Sequence, residues 1–576
     1  MIVKPHQYLF LTLLFIPIIT RCNALSTPDG EKLERFHNAK AQVTLTPFLP
    51  MTENIDENSA DPGEENYLKT VWLEDSIPST LRIQIFPSDT TQIVDNKIEA
   101  DFIFGMIGDS VASTNWVFAV VAPFPSVIDN ISQKDLVNLW TEKQKSIERY
   151  SSILINNSTY EILSRLLGKS GSNSVKIVDE EKILNMTWEN QYTLAVLPFE
   201  DIQPRWKVIR IDGKSPLDKD FDQDQYPLIA RFSLYDPGDN GLGDQYIDAT
   251  NVLSIPRTNR EDNKLSVLVM TGVTALVRST AEKMETKGLT YPAEDILQWF
   301  DTADLIHVSN EVSFDPNCPH PNPYQKTLQF CSKPEYIQLL EYIGANIIEL
   351  SGNHLMDWNR SAYEYSLGLY DERNMHYFAG GLNMEAASKP LMIEHNSNRL
   401  AFLGCNAFGP VHAWATETSP GAADCDFERI REDIEVLVND GYLPIFTFQY
   451  HESYTAIPNP GQIKAFQNVA DAGAVIVSGS QAHYPQGMEF YKNTFIHYGL
   501  GNLFFDQMDI PVHGTRREFI DRHYFYDGRY INTELLTALL EDYAKPRPMT
   551  DEERKMLLND IFEVSMWKFP LGDNNE

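Results

Sequence analysis

A chain of 576 residues is too long for one hydrophobic core and implies roughly two or three domains. Its 47 Lys plus Arg against 81 Asp plus Glu leave a formal charge of -34, which excludes nucleic acid and anionic membrane, both polyanions, as main partners. The opening MIVKPHQYLFLTLLFIPIITRCNALS has a weakly basic start, an apolar run from Tyr8 to Ile19 and small residues near Ala24. That run is too short and wrongly flanked for a membrane span, so residues 1–24 read as a signal peptide and the protein as exported, extracellular or in the cell envelope. Anchoring through this segment is the alternative; Cys22 follows Arg21, a poor fit to a lipidation signal.

Residues 25–70 are polar and acidic, with TENIDENSADPGEEN as the clearest linker. Over 71–245 the apolar runs TLRIQIF, WVFAVVAPF, SSILIN and YTLAVLPF read as strands, and SQKDLVNLW and TYEILSRLLG as helices, which predicts an α/β domain. The turn-rich stretch opening with DPGDNGLGD marks a boundary. From Leu265 strands are expected at 265–270, 304–308, 346–350, 399–404, 444–448, 474–479 and 494–500. AEDILQWF, PEYIQLLEYIGA, SAYEYSLGLYDE, FERIREDIEVLVND and IKAFQNVADAG supply helices between them, which predicts a layered α/β/β/α core.

Polar clusters follow these strands at Thr271 to Thr274, Ser309 to Glu311, Gly352 to Asp357, Gln449 to Glu452 and Gly479 to His483. Strand carboxyl ends are where open α/β sheets bind ligands. In ELSGNHLMD, Gly352 permits a tight turn, Asn353 and His354 offer an amide oxygen and an imidazole, and Asp357 can fix the His354 tautomer. Four cysteines remain after the signal, and Cys318 with Cys331 and Cys405 with Cys425 is the local choice among three pairings; free thiols remain open.

Taken in order, VLVMTGVTALVR, ADLIHVSNEVSF, ELSGNHLMDWN, YFAGGLNMEAASKP, IFTFQYHESY and VSGSQAHYPQGMEFYKNTFIHYGLGNLFFD resemble the CapA family of poly-gamma-glutamate capsule synthesis proteins, relatives of calcineurin-like metallophosphoesterases. The closing RPMTDEERKMLLNDIFEVS resembles that family's last helix, so the resemblance covers roughly 262–565. It implies a metallophosphoesterase-like domain there and a role in capsule or envelope polymer synthesis. The partners it implies are an anionic polymer or phosphorylated small molecule and the envelope biosynthesis machinery.

The chain departs from the family where metal ligands are expected. Val273 stands where the family has aspartate, Ser309 where it has asparagine, and Gln449 and Gln481 where it has histidines. Glu311, Asn353, His354, Asp357, His483 and Glu489 match the pattern. Two readings follow. In one, Glu311, Asn353, His354 and His483 hold a single divalent ion, Mn, Zn or Fe, with His354 and Asp357 catalytic in a hydrolase. In the other, no metal is present and a degenerate domain binds an anion or polymer without catalysis, His354 serving a bound oxyanion. His451 and Glu452 read first as a solvated loop, and His497 as a satisfied sheet histidine.

The first half resembles a phosphate-type solute-binding domain through FPSVIDNISQKDLVNLWTEK and YPLIARFSL. There NNSTY opens a helix, and Ser158 and Thr159 are either anion ligands or part of an ordinary helix cap. Asp109, Ser110 and Ser113 form a second polar loop.

Overall fold

Helical spacing of Ile77, Leu81 and Ile85 puts three buried side chains on one side of a short segment, so TLRIQIF does not form the expected strand. It folds as the helix Ser79–Arg82 after Pro78, and only Phe86–Pro87 is extended. The computed structural model describes residues 68–108, 112–238 and 246–567; the signal segment, most of the acidic linker, Asp109 and Ser110 lie outside them. The described residues belong to one compact unit.

The N-terminal part of that unit is built on a mixed sheet. Its order is Thr91–Val94, Lys69–Leu73, Phe102–Met106, Ile229–Tyr235, Thr114–Pro123, Thr193–Pro198, Ser152–Ile155 and Val175–Ile177. The central strand Thr114–Pro123 is buried almost throughout, which explains its near-continuous apolar run. Helices Gln133–Trp140 and Asn157–Leu167 start at Ser132 and Asn156, whose side chains accept backbone N–H bonds from Asp135 and Thr159.

Two sheets face each other in the C-terminal part. The first runs His376–Phe378, Ile347–Glu349, Leu305–Asn310, Leu265–Thr274, Arg517–Tyr526, Arg529–Glu541 and Lys545–Pro548. Its first four strands are parallel, and an antiparallel hairpin completes it. The second runs Leu391–His395, Asn398–Asn406, Leu443–Gln449, Ile476–Ser480, Thr494–His497 and Met488–Tyr491.

Side-chain alternation settles the layers. Met270, Ile347 and Phe378 from the first sheet share one buried cluster with Phe402, Ile445 and Phe495 from the second. On the outer face of the first sheet, Val308 and Ile348 pack with Met284, Leu340 and Tyr370 from helices Arg278–Lys287, Ile337–Tyr342 and Arg360–Asp371. On the outer face of the second, Phe446 and Phe448 meet Ile434 and Phe466 from helices Phe427–Asn439 and Pro460–Asp471. At about 1.5–3 kcal/mol for each large side chain taken from water, these three layers of contact dominate the domain's stability. The result is the expected helix, sheet, sheet, helix order. AEDILQWF is the exception among the helices and forms only the short 3-10 turns Tyr291–Ala293 and Leu297–Trp299.

The two parts are joined by side chains as well as by the chain. Phe124 packs against Phe490, Phe495 and Trp567 at 5.1, 5.3 and 6.0 Å. Arg554, on the closing helix Asp551–Val564, donates twice to the Asp129 carboxylate at 2.7 and 2.9 Å. Both local disulfides form, Cys318 with Cys331 and Cys405 with Cys425.

Candidate functional site

The strand ends of both sheets converge on one polar cluster. From the first sheet, Leu305–Asn310 runs directly into Glu311, whose N–H donates to Thr274 O at 3.0 Å and whose side chain is buried. Asn310 beside it turns the other way, its amide donating to Val312 O and Tyr370 OH. After Ile347–Glu349 the chain crosses Glu311 so closely that a Cβ on Gly352 would lie 2.7 Å from Glu311 Cα. The glycine of this loop is thus required by packing and not by a left-handed turn, which corrects the reason read from sequence. Val273, fully buried in Leu265–Thr274, presents no donor atom beyond its backbone.

His354 Nδ1 and Asp357 Oδ2 are 2.6 Å apart, and the same carboxylate oxygen accepts the Phe330 N–H at 3.1 Å. The expected pairing is therefore in place, with Nδ1–H facing the carboxylate. Burial acts to lower the His354 pKa, but the hydrogen bond to Asp357 and the charges of Glu311 and Asp357 outweigh it and the opposing Arg278, so the net shift is upward from 6.5.

The second sheet contributes amides. Gln449, at the end of Leu443–Gln449, donates from Nε2 to Glu311 Oε1 and Asn353 Oδ1, both at 3.1 Å, and to Gln481 Oε1. Its own Oε1 accepts from Ser480 Oγ at 2.9 Å, which fixes the amide orientation. His483 has Nδ1 2.8 Å from Asn502 Oδ1 and its ring against Phe505 at 5.3 Å.

This donor set does not fit a divalent metal. Three oxygens converge on an N–H2 group, the position that a cation would need, and two N–H bonds already serve three acceptors. The one atom of Gln449 able to ligate points at Ser480. Glu311 is the only carboxylate in the cluster around that amide, and among the described residues no group of three His, Cys, Asp or Glu is placed to hold a metal ion. Of the four residues expected to share an ion, Glu311 and Asn353 are brought together at the Gln449 amide, while His354 and His483 are held at Nδ1 by Asp357 and Asn502, which leaves Nε2 as the one ring atom of each able to ligate.

Arg278 is the residue at this edge that sequence reasoning did not single out. It follows the first strand at φ 46°, pairs with Asp506, and has its guanidinium over Phe330 and Phe505 at 5.4 and 4.9 Å. Phe330 also carries the His354 ring, edge to face at 4.9 Å, so the guanidinium and the imidazole flank one aromatic ring. Arg278 Nε is buried with no hydrogen-bond partner. The signal was present in the quoted VLVMTGVTALVR, whose last residue is Arg278, but only the fold shows that it turns back to the cluster.

The remaining candidates lie elsewhere. Glu489 sits under helix Pro460–Asp471, accepting from Gln467 Nε2 at 3.0 Å and Tyr498 OH at 2.9 Å, on the side of the sheet remote from Gln449. Ser158 and Thr159 belong to the cap of helix Asn157–Leu167, where Asn156 accepts the Thr159 N–H at 2.9 Å and the Ser158 hydroxyl at 3.2 Å. Ser113, of the second polar loop, faces Ser233 at 2.8 Å. His451 is exposed, with its ring against Phe408 at 4.9 Å, and Glu452 accepts from Tyr454 OH. His497 is paired with Asp521 at 2.6 Å between the sheets, beside the buried His307 to Glu349 pair and the buried His523.

Residues 267–507 match the family described as Bacterial capsule synthesis protein PGA_cap. The capsule biosynthesis protein CapA of Bacillus anthracis is 25% identical over 324 residues, 54% of this chain and 77% of the relative. The PGA biosynthesis protein CapA of Bacillus subtilis is 25% identical over 223 residues, 37% of this chain and 58% of the relative, so the chain spans little more than half of that protein. Among solved structures, the NAD nucleotidase of Haemophilus influenzae aligns over 53% of this chain and 57% of its own at 10% identity and TM-score 0.31. An ABC-type phosphate transport receptor from Vibrio cholerae aligns over 29% and 85% at 10% identity and TM-score 0.25.

Proposed function

Since its C-terminal half is of the CapA family, with the PGA_cap match at residues 267–507, we propose that this protein serves in the synthesis of a capsule or poly-gamma-glutamate type polymer by gripping the chain rather than cutting it. The grip is on an oxyanion of the polymer, a carboxylate or phosphoryl group, between Arg278 and His354. The carrying observation is Gln449, whose amide nitrogen occupies the point where Glu311, Asn353 and Gln481 converge and leaves no open ligand position for a metal-bound water. Hydrolysis at a two-metal site needs several anionic or imidazole ligands around both ions. Anion binding needs only placed donors in a protected setting, and here they are the Arg278 guanidinium and a histidine whose pKa is raised.

Arg278 and His354 are each held by a carboxylate, Asp506 and Asp357, so the attraction rests on short-range donors at this edge and not on the overall field of a chain of formal charge -34. The complex should therefore be salt-sensitive and specific to this edge. Protonated His354 is the binding form, so affinity declines as pH rises through the raised folded-state value, and it also falls in acid once the ligand's carboxylates protonate, at about pH 4. We further place this role outside the cytoplasm, a reading supported by the two disulfides.

Calorimetric titration with poly-gamma-glutamate tests the reading. Binding is expected in the protein as purified, weakened about tenfold by Arg278→Ala and by His354→Gln, with no release of shortened chains when Mn or Zn is added. Metal-dependent cleavage of the polymer or of a phosphate ester, lost in His354→Gln, would overturn it in favour of the hydrolase.

A further inference from the structure

Next to the Gln449 edge lies an open cleft of about 490 Å3 whose lining the oxyanion site does not use. Its working side chains are Phe408, Trp414, Phe427, Tyr450, Lys464 and Asn468. Phe408 is 54% exposed and Phe427 38%, although both stand in a domain whose other rings are mostly buried. Large rings left in water around a concave site mark a place where something docks.

The frame holding these rings is rigid. The Cys405 to Cys425 disulfide ties the two ends of the loop that carries Phe408 and Trp414. Asn406 donates to Ser351 O at 2.9 Å and accepts from Phe408 N and Gly409 N at 3.1 and 2.6 Å. Trp414 Nε1 donates to Asn406 O at 2.9 Å, and Phe408 stands edge-on to Tyr450 at 4.9 Å. The aromatic faces are thus fixed before any ligand arrives, and little side-chain entropy is left to lose on binding.

The polar groups narrow the ligand. Asp424 is already paired with Arg429 at 3.2 Å, whereas Lys464 has no ion pair among the described residues. One free cation suits a ligand with a charge on some units, not on every unit. An extended peptide would need an open strand edge, and both flanking strands are closed: Asn398–Asn406 is paired with Leu391–His395 and Leu443–Gln449, which is itself paired with Ile476–Ser480. What remains is a stiff ring with apolar C–H faces, hydroxyls for Asn468 and one anionic substituent for Lys464.

We propose that this cleft binds an acidic glycan, with a pyranose ring stacked on the Phe408, Trp414 and Phe427 rings and its carboxylate on Lys464. The site is separate from the oxyanion grip and does not depend on it. Titration of the full chain with a hexuronic acid tetrasaccharide, a neutral tetrasaccharide and poly-gamma-glutamate, followed by Trp fluorescence and calorimetry, tests the assignment. The acidic tetrasaccharide should bind and perturb the Trp signal, Phe408→Ala and Phe427→Ala should each weaken it about tenfold, and Lys464→Gln should bring its affinity down to that of the neutral sugar. Arg278→Ala should leave it unchanged, which separates the two sites. Absence of glycan binding, or binding indifferent to Phe408→Ala, would overturn the proposal. So would poly-gamma-glutamate binding that Phe408→Ala abolishes, which would give the cleft to the polymer. Both rings are exposed at the surface, so unchanged circular dichroism and melting are expected for these variants.

Discussion

The loops of the first sheet keep Glu311, Asn353, His354 and Asp357 of a CapA-like site but carry Val273 and Ser309 where aspartate and asparagine are expected, while those of the second keep His483 and offer Gln449 and Gln481 where imidazoles are expected. Yet both halves keep the same close-packed shape. A Cβ on Gly352 would lie 2.7 Å from Glu311 Cα, and one on Gly479 would lie 2.0 Å from Tyr498 O. The difference teaches that backbone architecture and ligand chemistry are separable: an amide N–H2 holds three converging oxygens without a cation.

Breaking that comparison means restoring the missing ligands on both sheets. Val273→Asp, Gln449→His and Gln481→His together replace a methyl pair and two amides by metal ligands. The triple variant should gain affinity for Mn or Zn on the order of 1000-fold by calorimetry, whereas Gln481→His alone should gain little because the Gln449 amide remains in place.

The next largest effect lies between the halves, in the inter-sheet core. Burial holds the His523 pKa down to about 4, against the opposing charge of Asp521 and with help from His497 and His307. An imidazole neutral when folded but protonated when unfolded makes the unfolded state bind more protons between about pH 6.5 and 4. Stability from this group is present above pH 6.5 and is lost as pH falls toward 4, by at most about 3 kcal/mol. His523→Phe should flatten that part of the curve in denaturant titrations across pH, and an unchanged slope would remove His523 from the account.

Sharpening the comparison calls for the two glycines. Gly352→Ala and Gly479→Ala each force a Cβ against backbone, and each should cost about 1–3 kcal/mol in chemical denaturation, with the larger loss at Gly479. Intolerance in both halves would show that shape is maintained where chemistry is not. The smallest effect belongs to the closing helix, whose Thr550 and Glu553 form a capping box; Thr550→Ala should lower stability by about 1 kcal/mol and leave polymer binding untouched.

Much of this was legible in sequence. Apolar runs bounded by polar clusters located the strands Leu265–Thr274, Leu305–Asn310, Ile347–Glu349, Leu443–Gln449 and Ile476–Ser480, because parallel strands covered on both faces read as continuous apolar segments. The hairpin Arg517–Tyr526 and Arg529–Glu541 was not legible: ELLTALLE has helical composition, and Asp521 and His523 look solvent-facing until His497, Tyr530 and Thr533 are found beside them. The substitutions at Val273, Gln449 and Gln481 were visible as losses. What Gln449 does instead depends on three loops meeting at one nitrogen, information that no local window contains.

Metal content tests the central claim most directly. After incubation of the purified chain with Mn, Zn or Fe and removal of free ions, elemental analysis should give far less than one ion per chain, unchanged by Glu311→Gln. One or more retained ions per chain, lost on Glu311→Gln or His354→Gln, would contradict it.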